Sequence, residues 1–341
     1  MNPFKYLSPP DTDAALGALG DEWGPTEILA GGTDLLALIK DYVVTPDTLV
    51  NIKRIGELRH VTFNPQAGLR VGCLIKLDEL AQTESVKKFY PTIAASINDA
   101  ASPQIRNMAT VGGNLCQRPR CWYFRNGFGL LALDKGGNSL VLRGDNRYHA
   151  VLGNAGPAFF VSPSTIAPVL IAFGASVTVR GQKGERTMPL ERFYRIPKSE
   201  QEREHDLGPN ELVTELSVPA PRDGTVSAYY EVRQKHGFDW PVATATVVLK
   251  LEEKRVTEAS VVLGHVAPVP WRSREAEAAL VGKTVDAESA AAASVAALAA
   301  AKSLGQNGYK IQVARVALKR AILQAGGFDV PPPHPSSGGE S

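Results

Sequence analysis

The sequence predicts an α+β protein built as two or three compact units, and three observations carry that expectation. At 341 residues the chain exceeds one ordinary domain. Its first half mixes short apolar runs of strand character with segments of helical spacing, and its last third reads as an antiparallel hairpin followed by two helices.

Residues 26–30 form a short apolar run that ends in Gly31 and Gly32, and 34–40 then show helical spacing. The expected order is strand, tight glycine turn, helix. Strand character resumes at 48–52, 58–63 and 69–73, while 77–82 and 90–101 are spaced as helices. From 109 to 156 glycine, proline, arginine and asparagine are dense and periodicity is poor. A loop this long inside a compact unit is usually functional or disordered. Trp122, Tyr123, Phe124, Phe128 and Tyr148 argue for order, because such side chains supply area to bury. A helix at 166–173, a strand at 175–180, a turn at 181–184 and a charged surface loop at 198–210 follow. A second unit starts near Thr225: runs 243–251 and 257–264 flank the charged turn 252–255 as a hairpin, and helices are expected at 287–303 and 309–324. The Pro/Ser/Gly-rich tail has the composition of a disordered end.

Lysine plus arginine number 37 against 35 for aspartate plus glutamate, so a net charge of +2 gives no electrostatic reason to expect nucleic acid or an anionic membrane surface. The first residues lack a basic region followed by an apolar stretch, and the Ala-rich run 290–301 is shorter than the ~20 residues that span a bilayer. A cytoplasmic protein without a membrane span is expected. Cys73, Cys116 and Cys121 are an odd number in a long chain, which does not suggest a disulfide framework.

Chemistry is most legible at two glycine sites. In the run Ile28, Leu29, Ala30, Gly31, Gly32, Thr33, Asp34, Leu35, two glycines between strand and helix let backbone N–H groups converge on a phosphate. The pattern is neither G-x-G-x-x-G nor a P-loop, and a plain turn in which Thr33 or Asp34 caps the helix accounts for the same residues. In the second run, Ala109, Thr110, Val111, Gly112, Gly113, Asn114, a hydroxyl, two glycine amides and a carboxamide suit a polar cofactor lying against the main chain; an ordinary loop is the alternative. No Ser-His-Asp set or H-E-x-x-H pattern stands out, and His149, His236 and His265 read as surface or packing histidines.

Taken together with Ser102–Pro103–Gln104–Ile105–Arg106 ahead of the second site and Ser162–Pro163–Ser164–Thr165 beyond it, the two runs resemble the FAD domain of the xanthine dehydrogenase, carbon monoxide dehydrogenase and aldehyde oxidoreductase flavoprotein subunits. Asp239–Trp240–Pro241 and Asn307–Gly308–Tyr309 resemble that family's C-terminal domain, so the likeness covers nearly the whole chain. It implies a two-lobed FAD-binding domain of the vanillyl-alcohol-oxidase type at 1–222, with lobes of about 1–55 and 56–222 and a long loop 116–156. A small C-terminal domain of antiparallel sheet and helices at 223–328 and a tail at 329–341 would follow. The resemblance also places Thr165, Val213 and Glu231 near the flavin; Thr165 stands where an aspartate is common and Glu231 where a lysine is common. Segments 117–125 and 146–153 resemble the branch of the periplasmic aldehyde oxidoreductase, whose flavin subunit carries an inserted iron–sulfur cluster. Of that cluster's four cysteines only Cys121 has a counterpart, and Ala158 stands at the closing position, so the expectation is an ordered insert without a cluster.

The implied activity is that of an oxidoreductase subunit without a catalytic acid or base of its own. A molybdenum-cofactor large subunit would hydroxylate an aldehyde, purine or heteroaromatic carbon, a 2Fe-2S small subunit would carry the electrons to FAD, and an external acceptor would receive them. Two other classes stay open: a self-sufficient flavin oxidase, and a flavin-free scaffold. Substrate-dependent bleaching of flavin in the isolated chain would mark the first, and absence of flavin bands the second.

Overall fold

A computed structural model describes residues 1–235 and 239–332. Most of the expected tail, 333–341, and His236 lie outside the described residues.

Three sheets organise the described residues. β1 (Lys5–Leu7), β2 (Thr26–Leu29) and β3 (Thr48–Asn51) form a parallel sheet in the order β1-β3-β2. The helix Leu35–Lys40 returns the chain from β2 toward β3, and Leu29, Ile39 and Leu49 make a small core between them. β4 (Val61–Asn64), β5 (Gly68–Gly72), β6 (Ser176–Gly181), β7 (Gly184–Pro189) and β8 (Glu211–Val218) form an antiparallel sheet in the order β4-β5-β8-β6-β7. Helices Leu77–Gln82, Pro91–Asp99 and Ile166–Ala172 contribute to the large core beside it; every residue of Ile166–Ala172 is buried. β9 (Thr225–Val232), β10 (Ala243–Glu252), β11 (Arg255–Gly264) and β12 (Trp271–Arg272) form the third sheet, antiparallel in the order β12-β11-β10-β9. Helices Arg274–Leu280, Ala287–Ala297 and Tyr309–Ala325 share a core with that sheet, largely of alanine, valine and leucine. The α+β class and the C-terminal antiparallel sheet with helices are thus present.

Several elements differ from expectation. The run 58–63 divides into a short 3-10 turn, Gly56–Leu58, and β4. The β10–β11 turn places Glu253 at φ 48° and Lys254 at φ 69°, the left-handed pair that a two-residue hairpin needs to match strand twist, although neither residue is glycine. The expected helix 287–303 stops at Ala297. The tail begins docked: Val330 packs against the third core, and Tyr230 Oη donates to the Pro331 carbonyl at 2.9 Å.

The long insert is packed rather than loose. Phe124, Leu130, Leu131, Ala158 and Phe160 cluster with Leu38 from the helix after β2. Trp122 contacts Tyr148 and His149 edge-on, and Tyr123 contacts Phe128, so the aromatic segment largely packs on itself. At its other end the insert joins the core of the third sheet: Val151 and Leu152 enter it, and Asn307 Nδ2 donates to the His149 and Ala150 carbonyls at 3.2 and 3.0 Å. Lys310 Nζ, fully buried, donates to Tyr148 O at 2.9 Å and His265 O at 2.8 Å, and burial pushes its pKa down to about 7. His149 and His265 are both buried among these groups, as packing histidines.

Candidate functional site

The two glycine runs, more than seventy residues apart in sequence, lie back to back in the fold. A Cβ on Gly31 would sit 2.1 Å from the Met108 carbonyl oxygen and 3.1 Å from Ala109 Cα, so the loops can touch only because residue 31 has no side chain. Gly32 has φ +77°, a conformation that strains any β-branched residue. Both runs face one groove, which Ile28, Ala30, Gly31, Gly32, Thr33, Asp34 and Leu35 line on one side and Thr110, Gly112 and Gly113 on another. Val213 on β8 lines it too, adjoining Leu212.

The remaining expected residues do not line this groove. Leu29 is buried in the small first core, and Ala109 lies against Gly31. Asn114 points at Ser164, whose hydroxyl donates to Asn114 Oδ1 at 2.7 Å. Thr165 is buried ahead of the helix Ile166–Ala172. Glu231 is buried on β9, where it accepts from Tyr229 Oη and pairs with Arg233. Burial raises its pKa, and the two partners oppose that rise.

The two sites use their backbone donors differently. At the second site Val111 N donates to Ile75 O, Gly112 N to Cys73 O at 2.9 Å, Gly113 N to Thr110 Oγ1 at 3.1 Å and Asn114 N to Thr110 O. The Gly112 and Gly113 amides that the sequence offers to a ligand are therefore spent inside the protein, in a short capped helix, Val111–Leu115. At the first site, among the described residues, the N–H groups of Gly32, Thr33 and Asp34 have no hydrogen-bond acceptor. That set of unspent donors beside an open groove fits an anionic group such as a diphosphate.

Sequence reasoning missed most of the groove's charged residues. Glu27, Arg118, Arg203, Glu204 and His205 line it, as does Trp23. The stretch 198–210 is not simply a surface loop: Glu204 and His205 are buried, because Arg118 Nε pairs with Glu204 at 2.8 Å and the His205 ring packs against Phe193 and Tyr194. Burial lowers the His205 pKa to about 4. Arg203 lies over the Trp23 ring at 4.4 Å and 3.8 Å from Glu27. Burial raises the Glu27 pKa from the usual 4.5 to about 7, partly offset by the Arg118 charge. A lone charge inside the apolar run 26–30 was the available signal for Glu27.

Cys116 lines the groove with its thiol pKa pushed up to about 12 by burial. Cys121 Sγ lies 3.2 Å from His149 Nε2. Among the described residues, no three His, Cys, Asp or Glu side chains are grouped to hold a metal ion. No described helix is long and apolar enough to cross a membrane.

Comparisons with known proteins show the family. The sequence profile of the FAD binding domain in molybdopterin dehydrogenase matches residues 2–221, and that of the CO dehydrogenase flavoprotein C-terminal domain matches 227–325. The chain is 30% identical over 303 residues to the aldehyde oxidoreductase FAD-binding subunit PaoB of Escherichia coli (strain K12), covering 88% of this chain and 91% of that one. It is 27% identical over 326 residues to the carbon monoxide dehydrogenase medium chain of Hydrogenophaga pseudoflava, covering 94% and 96%. A solved structure of carbon monoxide dehydrogenase from Hydrogenophaga pseudoflava, lacking the Mo-pyranopterin moiety of its cofactor, matches with a TM-score of 0.74 at 28% identity. It covers 95% of this chain and 97% of that one.

Proposed function

Because this chain belongs to the family of FAD-binding subunits of molybdopterin dehydrogenases, we propose that it works in a complex with two other chain types, a molybdenum-cofactor large subunit and a 2Fe-2S small subunit. The redox chemistry is that of FAD, which when bound links the iron–sulfur clusters of a partner to an external electron acceptor. The organic substrate, an aldehyde, purine or heteroaromatic compound, is met by the large subunit and not by this chain.

The observation that carries the reading is the pair of glycine runs meeting at one groove, with unspent N–H groups on Gly32, Thr33 and Asp34. Those donors take the diphosphate. Thr110, Gly112 and Gly113 border the ribityl chain and ring, Gly112 packing close against Cys73 because it has no side chain, and Asn114 supports that wall through Ser164. Ile28, Leu212 and Val213 give the groove an apolar wall that excludes water. The insert holds no iron–sulfur cluster in this reading, since Cys116 and Cys121 are two thiolates short of a four-cysteine set.

The test is the purified chain itself. Flavin absorption at one FAD per chain, with no bleaching by aldehydes or purines and no iron, is expected. Full substrate-dependent dye reduction by this chain alone, free of molybdenum and iron, would overturn the subunit assignment; about four irons per chain would overturn the cluster-free insert.

A further inference from the structure

Asp34 stands in the first glycine turn, yet it does not cap the helix that follows: no hydrogen bond from that helix reaches its side chain. Its carboxylate is held from the insert instead. Oδ2 accepts from Arg118 N at 2.8 Å, and Oδ1 accepts from Arg125 Nη2 at 2.7 Å and pairs with Arg120 Nη2 at 3.0 Å. The guanidiniums are themselves fixed. Arg125 Nε donates to Pro119 O and its Nη2 to Arg118 O, Arg118 Nε pairs with Glu204, and Arg120 stacks on Trp240 at 4.8 Å. Leu38, one turn on from Asp34, is buried in the insert's apolar cluster, so packing and charge hold the same contact.

The charge balance bears on what the turn can bind. Asp34 meets two guanidiniums, those of Arg120 and Arg125, while the Arg118 guanidinium is matched by Glu204, which leaves the cluster positive. Arg120 Nε and Arg125 Nη1 are buried and without an acceptor among the described residues. A bare carboxylate beside the free N–H groups of 32–34 would repel a diphosphate, and these arginines cancel it.

We propose that the Arg120 and Arg125 guanidiniums, with the Arg118 backbone N–H, form a clasp on Asp34 that neutralises it and holds the Gly31–Leu35 turn ready for an anionic diphosphate. The insert thereby serves cofactor binding with guanidinium groups. The arginines are positioning residues that act through Asp34, and the inference rests on the reading that FAD binds at this turn.

The full chain, stripped of flavin and titrated with FAD by fluorescence, tests it. Arg125→Gln should weaken FAD binding roughly ten- to hundredfold, the range expected for one charged hydrogen bond. Arg120→Gln, at a more exposed residue, should weaken it less, and both losses should shrink as salt rises. The discriminating readout is charge rescue: Asp34→Asn placed on either arginine variant should recover most of the lost affinity, because the unpaired carboxylate is gone. A purely structural clasp would show no rescue, since the second change removes further contacts. Unchanged affinity in a folded Arg120→Gln protein, or absence of rescue, overturns the clasp while leaving FAD binding intact. If Arg125→Gln fails to fold, Arg120→Gln carries the same decision. A wild-type chain that does not bind FAD overturns the functional reading and the clasp together.

Discussion

The two Gly-Gly runs look alike in sequence and behave as opposites in the fold. At residues 31–34, beside a left-handed Gly32, three successive N–H groups have no acceptor among the described residues. At 110–114 the same kind of residues close a short helix, capped by Thr110 and anchored to Cys73 and Ile75, in which the glycine donors are consumed. The difference teaches that a glycine pair marks a place where backbone comes close to something, and only hydrogen-bond accounting shows whether that something is a ligand or the protein itself. Here the first run keeps donors that the proposed reading gives to an anion, and the second spends its own on a close-packed wall of the groove.

The strongest way to break that comparison is Gly32→Val. A β-branched residue held near φ +77° costs about 1–3 kcal/mol in backbone strain and also presses on Leu36 Cδ1, 3.0 Å from the Cβ position. The folded variant should lose FAD altogether, measured as the flavin-to-protein absorbance ratio. Stoichiometric FAD in a folded Gly32→Val chain would remove the first run from the site.

Asn114→Leu probes the second run and should do less. It strips the buried Ser164 hydroxyl of its acceptor, which costs about 1–2 kcal/mol in a urea or thermal melt. Flavin retention should weaken, yet remain well above that of Gly32→Val, because the donors of the first run are untouched. Equal loss in the two variants would put the diphosphate on both runs.

The smallest expected effect on flavin retention is at Glu27, at the start of the first wall, where the readout is stability. Its folded pKa of about 7 lies above the usual 4.5, so between those values the folded chain holds a proton that the unfolded chain releases. Its contribution to stability is therefore fully present below about pH 4.5 and falls as pH rises toward 7. Glu27→Gln should flatten that part of the stability curve. Identical slopes for both proteins in melts across this range would show that Glu27 ionises without penalty.

Much of the architecture was readable from local chemistry. Gly31 and Gly32 after an apolar run announced a turn, and 243–264 announced a hairpin around charged residues. Pairings over long distances were not readable. Asp34 looks like a helix cap by composition, whereas its partners lie 84 and 91 residues away in an aperiodic stretch. Glu204 and His205 look solvated by composition, whereas Arg118 and a ring of aromatics bury them.

By itself the sequence determined the α+β class, the two glycine turns and the family to which the chain belongs, because backbone freedom, hydrophobic period and short motifs are local properties. Only the tertiary structure decided that the turns meet, which of them keeps its N–H groups free, and that the insert grips Asp34 at one end and the core of the third sheet at the other. Those outcomes depend on which distant groups are brought close enough to satisfy a donor or cancel a charge, and no local pattern records that.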